Sequence, residues 1–133
     1  MDTRERNAEA EARELTYSFL SHLFLEEVSE DFLARLAEEP PSLEGELGRY
    51  AAGLAGVDLA AARTEAAAEF AALLLNMSAD PVFPYESVYT SAERLLMQRS
   101  RDEVLAAYRA QGFERSGDLN VPEDHAGIEL AFM

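Results

Sequence analysis

The residues of this chain best suited to chemistry close the sequence, in Asn120-Val121-Pro122-Glu123-Asp124-His125-Ala126-Gly127-Ile128-Glu129-Leu130-Ala131-Phe132-Met133. Asp124 and His125 set a carboxylate beside an imidazole, and Glu129 follows His125 at the spacing that puts two side chains on one helix face. Ile128 and Phe132 share that face, so the acid and the imidazole lie on an apolar stripe that needs something to pack against. Pro122 suits a first helical position, because its missing N–H would have no partner there. Glu123 and Asp124 then fall in a first turn, where the helix dipole favours negative charge. The pattern predicts a last helix from about Pro122. On residue types alone, such an Asp-His pair serves either helix capping and surface chemistry or ligand binding.

Tyr85, Glu86 and Tyr89 form a second group, on an irregular stretch after Pro81 and Pro84. The tyrosines either anchor this loop to a helical core or offer contact area with a polar tip to a partner, and Glu86 needs a partner if buried. A metal site built from His22, His125 and Glu129 is not expected, since there is no HExxH and the chain has no cysteine. Gly45, Gly48, Gly53 and Gly56 lack the lysine and the strand-to-helix setting of a phosphate loop. Ser87 has no histidine near it in sequence, and His125 with Glu129 on one helix is not a catalytic constellation. The expectation is a protein that is not an enzyme and carries no cofactor.

The closing stretch resembles the signature of the TorD/DmsD/NarJ family of redox-enzyme maturation chaperones, in which a proline, any residue and Asp-His lead into an apolar helix with Glu-Leu and often Phe-Met. Pro84-Tyr85-Glu86-Ser87-Val88-Tyr89, then Leu96-Met97-Gln98, Glu103-Val104, Tyr108 and Gly112-Phe113 follow the middle section of that family in the same order. The likeness covers about residues 84–133, with Val121 standing where many members carry a glutamate. It implies a cytoplasmic chaperone that binds the twin-arginine signal peptide of a molybdenum-containing oxidoreductase until its cofactor is inserted. It also implies that Asp124 and His125 help hold that peptide, with Tyr85, Glu86 and Tyr89 beside them and Pro122 and Glu129 as parts of the structural motif. A carboxylate can take a guanidinium in a two-pronged, charge-assisted contact. His125 has three roles open to it: orienting Asp124, donating to a peptide carbonyl or responding to pH. The alternative is a helical scaffold or dimerisation domain without a peptide client.

With 26 acidic against 11 basic side chains among 133 residues, the formal net charge is −15. That balance repels phosphate backbones, excluding a general nucleic-acid binder, and attracts a cationic partner. No apolar run approaches the roughly 18 residues of a membrane span, and residues 1–14 lack the apolar centre of a secretion signal. A cytoplasmic protein is the expectation.

The elements that must position these residues read as helices throughout, so the expected class is all-α, a single TorD-like domain of six or seven helices. A first helix runs from about Asn7 to Leu25, with Ala8, Ala12, Leu15, Phe19 and Leu23 on one face. Ser29 caps a short second helix bearing Phe32, Leu33 and Leu36, which Pro40-Pro41 ends. A third helix, from Ser42 to about Leu54, carries Leu43, Leu47, Tyr50 and Leu54, with Gly53 and Gly56 at its exit. Asp58 caps the next, whose stripe is Ala62, Ala66, Phe70, Leu73 and Met77. Asp80 to Pro84 is loop, and a short helical or irregular piece spans Tyr85 to Tyr89. Ser100 and Glu103 stand in capping-box spacing before a helix that Gly112 ends, with Phe113 as the apolar contact after it.

Members of the resembled family ordinarily continue for several helices past the terminal motif. The chain is therefore expected to be a truncated form, its uncovered surface met by a second copy in a homodimer, through exchange of the last helix.

Overall fold

Seven helices and no strand occur among the described residues of the computed structural model, which are 2–38 and 45–133. The all-α class read from the sequence is the class the chain adopts. Two compact units are formed, Met1–Glu26 with Phe83–Met133, and Glu27–Val82.

In the second unit, α2 (Glu30–Glu38), α3 (Glu46–Gly53) and α4 (Leu59–Leu74) enclose Leu33, Leu36, Ala51, Leu54 and Ala62. Ser29 caps α2 as expected, its hydroxyl accepting from the Phe32 N–H at 3.1 Å. Asp58 caps α4 by accepting from the Ala60 N–H at 3.0 Å. The Pro40-Pro41 stop, Ser42 and Leu43 lie outside the described residues. The stripe expected on α4 is cut short: the helix ends at Leu74, Asn76 turns left-handed at φ 59°, and Leu73 and Met77 are exposed.

The first unit carries the terminal motif. Here α1 (Thr3–Leu25) begins four residues before the expected Asn7, because Asp2 and Glu5 make a reciprocal capping box that the apolar pattern does not reveal. Leu15, expected on its buried face, is exposed. Next come α5 (Glu86–Thr90), α6 (Arg99–Ala110) and α7 (Ala126–Phe132). The end of α6 is the one read from the sequence. Gly112 takes φ 78°, its N–H reaches Arg109 O at 3.0 Å, and the Phe113 N–H reaches Tyr108 O at 2.9 Å. These are the two bonds of a Schellman stop. Phe113 then meets Phe132 of α7 edge-on at 5.4 Å, with Tyr108 at 4.7 Å on the same ring.

Packing of α7 along α1 brings the motif into the unit. At the crossing the Ser21 hydroxyl donates to Gly127 O at 2.6 Å. A Cβ on residue 127 would lie 2.6 Å from Leu25 Cγ and 3.1 Å from Ser21 O, so glycine is what lets these two helices approach.

Two expected helix starts are corrected. The last helix opens at Ala126, not Pro122, because residues 122–125 close a turn and His125 is held extended against Tyr85. Tyr85 and His125 form an antiparallel bridge in which the Glu86 N–H donates to Asp124 O at 3.1 Å and the Ala126 N–H to Pro84 O at 2.8 Å. Pro122 instead opens a turn closed by the His125 N–H at 3.1 Å. The capping box of Ser100 and Glu103 does not form either. Helix α6 starts a residue before Ser100, whose hydroxyl pairs with that of Thr90, while Glu103 takes Arg99 at 2.7 Å.

Candidate functional site

The bridge fixes where the motif side chains go. Asp124 is fully buried, at 0% exposure, and its Oδ2 accepts from the main-chain N–H of Ser87 at 2.8 Å. Its Oδ1 is buried with no hydrogen-bond partner among the described residues. A buried carboxylate ordinarily fills both oxygens, so the bare one marks a place where a donor is wanted.

His125, also buried, caps α7: its Nδ1 accepts from the Gly127 N–H at 3.0 Å. That bond leaves the ring proton on Nε2. Burial lowers the imidazole's affinity for a second proton, against the opposing pull of Asp124. Tyr85 stands edge-on to the ring, centroids 5.0 Å apart. Its phenol is pushed above its ordinary range by burial and then by the charge of Asp124.

Glu123, buried beside Asp124, anchors the turn from the other side. Arg101 grips it with two bonds, Nε to Oε2 at 2.6 Å and a terminal nitrogen to Oε1 at 3.1 Å, and Arg115 adds a contact at 3.4 Å. The Arg101 hydrogen bonds hold the Glu123 carboxyl below its ordinary range, against burial, and the same bonds raise Arg101. The Tyr108 hydroxyl donates to Glu123 O at 3.0 Å, and burial followed by the charges of Glu129, Asp124, Glu123 and Glu86 pushes that phenol up to about 12. Glu129, half-buried on α7, is raised by burial and by Glu86 and Asp124, and its Oε1 is a second buried oxygen without a partner among the described residues.

The expected residues thus divide. Asp124, His125, Tyr85 and Glu129 come together on one site, and Pro122 opens the turn that carries it. Glu86 and Tyr89 are exposed on α5, Tyr89 at 65%, so neither is a buried anchor of the loop. An apolar hollow of about 210 Å³ lies between α6 and α7, walled by Leu105, Tyr108, Phe113, Leu119, Ile128 and Phe132. Among the described residues no three metal-ligating side chains gather, and no helix is long and apolar enough to cross a membrane.

Four residues central to this arrangement were not singled out as site residues from the sequence: Ser87, Arg101, Ser21 and Gly127. Ser87 lies inside the quoted Pro84-to-Tyr89 segment, yet it acts through its main-chain N–H, which any residue would supply. Its hydroxyl accepts from the Gln98 N–H at 3.1 Å and ties α5 to the start of α6. No signal in the sequence marks Arg101 as the partner of Glu123.

The profile of the family described as "Nitrate reductase delta subunit" matches residues 39–133. Among curated proteins, the chaperone protein TorD of Vibrio cholerae is 35% identical over 92% of this chain and 61% of its own length. TorD of Vibrio vulnificus is 29% identical over 98% of the chain and 66% of its own, and TorD of Shigella dysenteriae 30% over 88% and 61%. The chain spans less than two thirds of the length of these relatives. No solved structure matches it.

Proposed function

The chain belongs to the nitrate reductase delta subunit family, and on that premise we propose that it is a cytoplasmic chaperone which binds the twin-arginine signal peptide of a molybdenum-containing oxidoreductase during its maturation. The observation that carries this reading is the bare Oδ1 of Asp124, a carboxylate oxygen buried at the head of α7 with no donor among the described residues. Such an oxygen is an unfilled acceptor for a guanidinium, which presents several N–H groups in a planar fork.

The surroundings fit a cationic peptide. With a formal charge of −15 the chain draws such a partner in, and Glu86 adds an exposed carboxylate beside the site. The apolar hollow between α6 and α7 offers a place for the hydrophobic stretch of the same peptide, as amphipathic and apolar segments dock in grooves elsewhere. His125 acts here as the cap that orients the Asp124 turn, since its Nδ1 is already engaged. Of the three roles open to it, orientation is the one this hydrogen bond supports.

The test is calorimetric binding of a synthetic twin-arginine signal peptide from a molybdoenzyme precursor, repeated with both arginines changed to lysine. Tight binding that weakens with lysine supports the reading. No binding, or equal affinity for both peptides, defeats it.

A further inference from the structure

Two consecutive amides of α5 hold Asp124. The Ser87 N–H donates to its Oδ2 at 2.8 Å and the Glu86 N–H to its main-chain oxygen at 3.1 Å, so the angle at which Oδ1 is presented follows the placement of α5. That helix is five residues long, far below the length at which a helix keeps its own shape. Its placement comes from what it is tied to. The bridge between Tyr85 and His125 fixes its entry, and two hydroxyls fix the rest. That of Ser87, fully buried, accepts from the Gln98 N–H at 3.1 Å, and that of Thr90 pairs with the hydroxyl of Ser100. Both reach the start of α6.

The turn from α5 to α6 is itself a fixed frame. Burial does not hold it, since Leu95, Leu96 and Met97 are exposed. Hydrogen bonds do: the Leu95 N–H donates to the Ser91 hydroxyl at 3.3 Å, the Arg94 N–H to Ser91 O at 3.3 Å and the Gln98 side chain to Leu96 O at 2.9 Å. Arg94 and Met97 are left-handed, at φ 53° and 57°, conformations that persist in such residues only where their surroundings impose them. Ser91 in turn donates its N–H to Ser87 O at 3.1 Å. All three polar groups of Ser87 are thus engaged, one by the carboxylate and two by this turn.

We propose that Ser87 and Thr90 are positioning residues for Asp124: through them the start of α6 fixes the angle of the carboxylate, and that angle makes the site prefer arginine to lysine. The preference rests on the signal-peptide reading above; the positioning does not. A guanidinium is planar and its N–H groups point in fixed directions, so it meets an acceptor over a narrow range of angles. An ammonium turns its donors to suit and loses little when the acceptor tilts. Loosening α5 therefore costs an arginine contact more than a lysine contact. The attraction of the net charge of −15 is the same for both.

Two measurements on the full chain decide the matter, and the first needs no peptide. Amide hydrogen exchange is followed by NMR in Ser87→Ala, which removes the acceptor of the Gln98 N–H, and in Thr90→Val, which at an exposed position removes the hydroxyl that meets Ser100 and keeps the shape. Exchange of the residue 87 N–H should quicken by about tenfold or more in either variant, while the Phe113 N–H, bonded to Tyr108 O, keeps its rate. Unchanged protection of residue 87 in both variants overturns the positioning, as does equal quickening of Phe113. The second measurement is calorimetry with the twin-arginine peptide and its double-lysine counterpart. In Thr90→Val the arginine peptide should lose about tenfold in affinity, the scale of one hydrogen bond to a charged group, and the lysine peptide less than about twofold. Thr90→Ser keeps the hydroxyl and should restore the preference. Equal losses for the two peptides, or a preference unchanged in both Thr90→Val and Ser87→Ala, overturn the selective role. If neither peptide binds the unaltered chain, the signal-peptide reading falls and the arginine preference with it, while the positioning still stands or falls on the exchange rates.

Discussion

The main-chain N–H of Ser87 donates to Oδ2 of Asp124 across 37 positions of sequence, at 2.8 Å in the buried centre of the first unit. This bond fixes one oxygen of the carboxylate and leaves the other, equally buried, with no partner among the described residues.

Replacing Asp124 therefore has two separable effects. Asp124→Asn keeps an oxygen for the Ser87 N–H and is expected to fold, with stability changed by about 1 kcal/mol or less. Its affinity for a twin-arginine peptide should fall roughly tenfold or more, and the salt dependence of binding should flatten. Asp124→Ala removes the acceptor as well and should cost about 1–3 kcal/mol in denaturant unfolding, because a buried N–H is left unpaired. Unchanged peptide affinity in a folded Asp124→Asn variant would count against the proposed role.

The Arg101–Glu123 pair supports the turn from outside the peptide site. Arg101→Ala leaves Glu123 buried with one contact at 3.4 Å from Arg115, and should destabilise by about 3 kcal/mol. Glu123 has its folded-state affinity for protons lowered, chiefly by Arg101, so its contribution is full above the ordinary carboxyl value and is lost as pH falls through the lowered one. Glu123→Gln should accordingly flatten the acid limb of the stability profile. A double change to Arg101→Met with Glu123→Leu should cost less than Arg101→Ala alone; a larger cost would show that the pair does more than avoid a stranded charge.

How much of this was legible depends on sequence separation. The Ser29 and Asp58 caps and the Gly112-Phe113 stop were readable because each is a bond between residues a few positions apart. Ser100 and Glu103 carry an equally local signal, and it misleads, because Arg99 and Thr90 take the two side chains first. Pro122 misleads for a related reason: the bridge to Tyr85 holds His125 extended, and the helix waits until Ala126. The contacts that make the site join residues 22, 37 and 106 positions apart, and none leaves a period or spacing in the chain. What placed Asp124 and His125 at the centre was the likeness of the terminal stretch to a known family, not residue chemistry alone.

Gly127 sets how closely α7 approaches α1. Gly127→Ala places a methyl 2.6 Å from Leu25 Cγ and 3.1 Å from the Ser21 carbonyl, so side chain and helix must both give way. A loss of about 1–3 kcal/mol is expected, with the Ser21–Gly127 bond lengthened. Shortening the flexible neighbour should relieve part of it. Leu25→Ala combined with Gly127→Ala should be less destabilising than the sum of the single changes, a coupling readable from a double-mutant cycle of thermal melts. Strict additivity would place the clash elsewhere.

His125 is the last group whose behaviour the geometry dictates, and its sign can be worked out in full. Accepting from the Gly127 N–H requires an unprotonated Nδ1, and burial lowers the ring's proton affinity below its ordinary 6.5. The unfolded chain thus binds a proton first as pH falls. Stability from this group is complete above 6.5 and declines as pH drops from there through the lowered folded value. His125→Asn keeps a side-chain oxygen for the cap and has nothing to titrate, so its melting temperature should lose that decline while staying close to the unaltered chain at neutral pH. His125→Ala loses the cap as well and should melt lower at every pH, by about 1 kcal/mol of stability. Melts collected from pH 5 to 8 separate the two effects: an unchanged decline in His125→Asn would mean that the pH dependence in this range belongs to another group.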